Sequence, residues 1–211
     1  MGMPTDKPRI TSQNSETSIG DDIIAGSPDE LGDSAQDFVM RFDDNHSLDI
    51  MIADDRWAPY FDDALHADIG QLVIFTSALI EGDGFTACLR WTNNDEMQAL
   101  NAQFRDKDKA TNVLSFPNHA SDNASGDFPN EDDSGLFLGD VAFGFETMKT
   151  EAEEMGISIG AHMRHLIIHG LLHLIGCDHE DEEDATEMEG LEIAALSVIG
   201  VTNPYQEAVV S

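Results

Sequence analysis

The sequence predicts an α+β fold: a small mixed sheet packed against helices, with the C-terminal helices carrying the chemistry. Strand-like segments are concentrated in the first two thirds of the chain, helical segments interrupt them early, and the last third is helical throughout.

The chain has 211 residues, 41% of them hydrophobic, which suits one domain with a core of ordinary size. Residues 1–45 are poor in aromatics, rich in Asp, Ser and Gly, and lack sustained periodicity. They are expected to form an acidic, disordered tail, with residues 46–206 as a single domain. SLDIMI from Ser47 alternates as a strand does, and the stretch from Trp57 to Ile80 reads as mostly helical. FTACLRWTN from Phe85 alternates again, and NDEMQALNAQFR follows as a short amphipathic helix with Asn94 or Asp95 as its N-cap. VLSFP from Val113 and LFLGDVAFGF from Leu136 read as two further strands. The polar NHASDNASGDFPNEDDSG between them is full of turn formers and is expected to be a long hairpin loop. Helices are expected over Glu146 to Met155, Ile159 to Ile175 and Glu182 to Ile199.

No run of about 18 or more apolar residues occurs, and neither a basic nor an apolar leader precedes the domain. A cytoplasmic protein without membrane partners is expected, with Cys88 and Cys177 reduced. The charge is extreme: 42 acidic against 10 basic side chains, a formal net charge of −32. Such a polyanion repels nucleic acid at long range, so composition alone argues against RNA and DNA, and DNA is not expected as a partner. The acids are spread evenly, which reads as a solvated surface suited to a salty cytoplasm.

HGLLHLIGCDH, residues 169–179, places three histidines in eleven positions. Residues four apart share one face of a helix, so His169 and His173 can present two imidazoles to one ion. His165 lies on that face too, but at about 1.5 Å of rise per residue it stands about 12 Å from His173, too far for one ion to take both with His169. Gly176 supplies the alternative, because a glycine just past the helix can adopt the left-handed conformation that reverses the chain and brings His179 back. Three imidazoles with an open fourth position describe a catalytic zinc site better than a structural one, although nickel or iron also suit the donors. Cys177 as a fourth ligand would close the site. His162 and His165 read as packed histidines with supporting roles, Met188 as core, Asp140 as a turn residue, and DEEDATEMEGLE as a solvated helix face.

The spacing HxxxHxxGxxH is also that of the metzincin-type zinc peptidases, giving a zincin-like scaffold. Those enzymes carry a glutamate general base directly after the first histidine, and Gly170 stands there instead. A different substrate is therefore expected.

HMRHLIIHGLLHLIGCDH, followed by the helix containing EMEGLE, resembles the signature of the YbeY family of bacterial endoribonucleases. FRDKDKATNVLSFP from Phe104 resembles a second signature block and LGDVAF from Leu138 a third, in the family's order. Ala110 stands where a proline is usual and Cys177 where a tyrosine is usual. The resemblance implies a zinc-dependent, single-strand-specific endoribonuclease that matures the 3′ end of small-subunit (16S) rRNA and acts in ribosome quality control. Its partners would be rRNA and the small ribosomal subunit or its assembly factors. It also implies one Zn²⁺ held by His169, His173 and His179, and a functional role for Arg105.

The residues make sense of that arginine. Phosphodiester cleavage builds charge on nonbridging oxygens, which a guanidinium fork binds in bidentate fashion while a metal acts as Lewis acid. Arg105, Lys107 and Lys109 fall within five residues, so a local cationic strip meets the objection raised by the net charge. Two other readings follow from the same residues: a zincin-type metallopeptidase, and a ribosome assembly factor whose zinc only stabilises the fold.

Overall fold

In the computed structural model, which describes residues 36–80, 84–118, 136–179 and 181–205, five strands form one mixed sheet. They are β1 (Gln36–Arg41), β2 (Ser47–Ile52), β3 (Phe85–Thr92), β4 (Val113–Pro117) and β5 (Leu136–Gly144), in the order β1-β2-β3-β5-β4. β2, β3 and β5 run parallel, while β1 and β4 flank them antiparallel to β2 and β5. The helices are α1 (Asp63–Ser77), α2 (Asn94–Arg105), α3 (Phe145–Met155), α4 (Ile159–Leu174) and α5 (Glu182–Val198). This is the α+β class read from the sequence.

Regular structure is present earlier in the chain than the sequence suggests. β1 lies inside the stretch expected to be a tail, and it pairs with β2 from Gln36↔Ile52 to Arg41↔Ser47. Met40 is buried and Phe38 packs against the core, so two inward side chains on alternate positions hold the strand down. The turn into β2 is closed by Asp43, whose carboxylate accepts from the backbone N–H groups of Asn45 and His46 at 2.8 and 2.7 Å. The domain therefore begins before residue 46; the tail expected over residues 1–35 and the hairpin loop expected over 119–135 lie outside the described residues.

Side-chain caps set the starts of four of the five α-helices, α3 being the exception. Asp62 accepts from Leu65 N–H before α1, Asn93 from Glu96 before α2, Ser158 from Ala161 before α4, and Asp181 from Glu183 and Asp184 before α5. The α2 cap is thus Asn93, not Asn94 or Asp95: Asn93 holds the extended backbone that a cap requires, with φ −109° and ψ 173°. The expected helical stretch from Trp57 splits into a 3-10 helix over Asp55–Tyr60, which contains Pro59, and α1 behind its own cap. Among the described residues no helix is long and apolar enough to cross a membrane.

The two faces of the sheet carry different helices. Ala142 packs with Met97 of α2 and Leu114, whereas its neighbour Val141 meets Gly170 of α4, so period-two alternation on β5 separates the layers. The larger core lies on the α4 side, where α1, α3 and α5 also contribute buried side chains. Trp57 closes one end of it, donating from Nε1 to the Thr92 carbonyl at 2.8 Å and packing edge-on against Trp91 and Phe145. The outcome that matters for function is the position of α4, which presents its histidine face beside the edge strand β4.

Candidate metal centre

Four histidines descend one side of α4: His162, His165, His169 and His173, with successive ring centroids 5.9, 6.4 and 4.6 Å apart. The last two converge, with their Nε2 atoms 3.1 Å from each other. The helix then stops in a Schellman turn. Cys177 N–H donates to the Leu172 carbonyl at 3.0 Å and Gly176 N–H to the His173 carbonyl at 3.1 Å, with Gly176 at φ 92°. This reversal brings the His179 ring to 5.6 Å from His169 and 5.0 Å from His173. One ligating nitrogen of each histidine then lies within 4.8 Å of the others. The trio read from the sequence is assembled by the glycine turn as expected.

Hydrogen bonds fix which nitrogen faces inward. Nδ1 of His169 stands 2.7 Å from Glu192 Oε1, and Nδ1 of His173 stands 2.9 Å from the Cys177 carbonyl. Burial pushes the Glu192 carboxyl up, but hydrogen bonds from His165, His169 and Tyr205 outweigh it and bring it down to about 2. Carboxylate and carbonyl can only accept, so both imidazoles carry their proton on Nδ1 and turn a lone pair inward from Nε2. Two lone pairs 3.1 Å apart repel unless a cation sits between them. Tetrahedral bonds of about 2.0–2.1 Å place imidazole nitrogens about 3.3 Å apart, so the trio fits a small divalent ion. Burial and the neighbouring His169 also lower the pKa of His173, favouring the neutral form that ligates.

Cys177 contributes its carbonyl, and burial pushes its thiol up, away from the thiolate a metal would need. Met188 is core, as expected. Asp140 lies on β5 beside Cys88, whose thiol is pushed up to about 11 by burial and then by Asp140 and Asp49. Neither belongs to the trio.

Glu192 is the residue that sequence reasoning missed, because the acidic run around it reads as a solvated face. It is only 1% exposed, and it accepts from His165 Nε2 at 2.8 Å and from the Tyr205 hydroxyl as well as from His169. Its signal lay in the spacing of Met188, Glu192 and Ala195, all buried on one side of α5. His162 is also buried, with Nε2 2.9 Å from Glu151 Oε2, and Asn112 Nδ2 donates to the same oxygen at 2.9 Å. That contact ties the FRDKDKATNVLSFP segment to the histidine helix.

A cleft of about 1060 Å³ opens over the trio, and its walls include Arg105, Lys107 and Lys109. Arg105 ends α2 and donates from Nη2 to the Ser115 carbonyl of edge strand β4 at 3.1 Å. Asp106 then reverses the chain in the left-handed region with φ 55°. The following loop is clamped by Asn101 Nδ2 on the Lys109 carbonyl at 2.6 Å and by Gln98 Nε2 on Asp108 at 2.6 Å. The structure thereby brings Arg105 and the trio into one cleft. Gly170, in the position of a peptidase glutamate, has no room for a side chain: a Cβ there would stand 2.7 Å from Val141 Cγ1.

Fold and site together define a mixed-sheet α+β protein with a cluster of three imidazoles that could hold a metal ion, at the C-terminal end of a helix and facing a cationic strip. The family model described as Endoribonuclease YbeY matches residues 62–200, and the chain belongs to that family. Similar proteins named Endoribonuclease YbeY include that of Sphingopyxis alaskensis, 46% identical over 119 residues, or 56% of this chain and 70% of that one. That of Rhodospirillum rubrum is 45% identical over 130 residues, 62% of this chain and 63% of the other. That of Colwellia psychrerythraea is 45% identical over 123 residues, 58% and 74%. The solution structure of TM1509 from Thermotoga maritima aligns with a TM-score of 0.47 at 18% identity, covering 78% of this chain and 99% of that one.

Proposed function

We propose that the chain is a zinc-dependent, single-strand-specific endoribonuclease of the cytoplasm that matures the 3′ end of 16S rRNA and acts in ribosome quality control. The observation that carries this reading is the shared cleft: three converging imidazole nitrogens and the cations Arg105, Lys107 and Lys109 line one cavity. The relatives' shared name supplies the reaction class.

His169, His173 and His179 would hold the ion, which when bound supplies a Lewis acid and lowers the pKa of water. Arg105 would bind nonbridging phosphate oxygens, a role supported by its bond to the Ser115 carbonyl, which holds the guanidinium at the cleft wall. Lys107 and Lys109 extend the strip and retain the strand by charge. Three cations on a chain of net charge −32 bind free RNA weakly, so selectivity comes from docking on the small ribosomal subunit or its assembly factors, with the acidic surface suppressing stray contacts. A peptidase mechanism has no support at Gly170, where a general-base side chain cannot be housed without moving Val141.

The test is cleavage of a single-stranded RNA carrying the 16S 3′ end by the zinc-loaded chain, Arg105→Ala and His173→Ala, with metal content measured in parallel. Arg105→Ala is expected to keep its zinc and lose at least about 100-fold in rate, and His173→Ala to lose both. Full cleavage by a metal-free His173→Ala chain would refute the reading.

A further inference from the structure

Glu192 sits on the face of α5 that is otherwise apolar, beside Met188, Ala195 and Leu196, with its side chain out of water. An apolar residue of similar volume would pack there without the desolvation that a carboxylate suffers. The carboxylate is nonetheless fully engaged: Oε1 takes the His169 Nδ1–H at 2.7 Å, and Oε2 takes the His165 Nε2–H at 2.8 Å together with the Tyr205 hydroxyl. No ligand atom of the trio comes from α5 or from the segment that follows it.

We infer that Glu192 is a positioning residue of the ion site, and that Tyr205 and His165 hold it in place. The inference rests on the trio being an ion site. An imidazole can rotate about its Cβ–Cγ bond and can carry its proton on either nitrogen. The bond to Oε1 removes both freedoms from His169, so that Nε2 faces His173 before an ion arrives. A carboxylate can itself turn, and this one is anchored at its other oxygen from two directions: His165, one turn up α4, and Tyr205, beyond the end of α5. His165 is thereby given a task its distance from His173 denies it as a ligand. Tyr205 is 42% exposed, so its ring contributes little to the core and its hydroxyl is the part in use. The C-terminal segment is thus coupled to the metal centre through one shared carboxylate.

The experiment uses the full chain, Glu192→Gln and Tyr205→Phe. Co²⁺ affinity is measured by competition with a chromophoric chelator, the visible absorption of the Co²⁺-loaded proteins is recorded, and the metal-free proteins are melted. Glu192→Gln is expected to weaken Co²⁺ binding by roughly 10–100-fold and to shift the absorption band. Tyr205→Phe is expected to weaken binding severalfold while the metal-free protein melts as the parent does. Co²⁺ binding within twofold of the parent in Glu192→Gln, with an unshifted band, overturns the inference whatever its melting temperature. Parental affinity in Tyr205→Phe overturns the part given to Tyr205, and that variant decides the matter if Glu192→Gln does not fold. A parent chain that binds no Co²⁺ overturns the ion-site reading itself, and the inference with it.

Discussion

Gly170 of α4 and Val141 of β5 approach so closely that a Cβ on the glycine would lie 2.7 Å from Val141 Cγ1 and 3.3 Å from Cγ2. Helix and sheet therefore meet through bare backbone at the residue after His169, and this approach sets how near the histidine face comes to β4. Gly170→Ala would gain about 1 kcal/mol of helix propensity. The β-branched Val141 cannot swing its methyls away freely, so overpacking of about 1–3 kcal/mol outweighs that gain. Denaturant unfolding of Gly170→Ala, Val141→Ala and the double variant should show the second substitution rescuing the first by at least about 1 kcal/mol. Additive effects would show that the two residues do not press on each other.

Gly176 poses the opposite case, because among the described residues, its chain neighbours aside, nothing lies within 4 Å of the position its Cβ would take. Only its φ of 92° opposes a side chain. Gly176→Ala is expected to destabilise the metal-free chain by about 1–2 kcal/mol and Gly176→Asn by less, since asparagine tolerates the left-handed region. The same turn delivers His179, so Co²⁺ affinity should fall in the same order. Equal affinities across glycine, asparagine and alanine would mean that His179 reaches the site by another route.

Both glycines show why this site is so largely legible in the sequence. His169 and His173 are joined by helical periodicity and His179 by a local turn, so the three-histidine cluster follows from short-range geometry. The strands from Ser47, Phe85, Val113 and Leu136 likewise show in their own alternation or apolar content. What stays hidden depends on packing between distant segments. β1 is six residues with two inward apolar side chains at the end of an acidic stretch, and only its pairing with β2 makes it a strand. Glu192 belongs to a run whose other acids are exposed, and it is distinguished only by the histidines that α4 places opposite it. The α2 cap falls one or two residues before its expected place because Asn93, Asn94 and Asp95 are all competent cap formers. The sheet order, with β5 entering between β3 and β4, has no local signal at all.

Lys107 and Lys109 face the same cleft as Arg105 from a loop pinned at its backbone, which separates their contribution from folding. Replacing either by alanine should leave stability and metal content unchanged. Binding of single-stranded RNA should weaken, and the slope of log K against log salt should become shallower by about 0.7 for each phosphate that is no longer neutralised. An unchanged salt slope in the Lys107→Ala, Lys109→Ala double variant would show that the strip does not track a backbone.

Glu151 joins α3 to α4 through His162 and to the segment just before β4 through Asn112, and its titration predicts how that joint responds to acid. Burial pushes its carboxyl up, but the hydrogen bonds from His162 and Asn112 prevail and hold it below the usual value of 4.5. A carboxylate depressed by folding stabilises fully above its unfolded pKa, and that contribution fades as pH falls through the lower folded value. Glu151→Gln should therefore melt below the parent at pH 6–7, with a loss on the order of 1 kcal/mol, since the side chain is 32% exposed. The gap should narrow as pH drops under about 4.5 and close once the parental carboxyl is protonated. A gap that stays constant down to pH 3 would assign the loss to packing rather than to the charge. Measuring both proteins in one buffer series cancels the relief of repulsion that acid brings to a chain of net charge −32, leaving the one carboxylate as the difference.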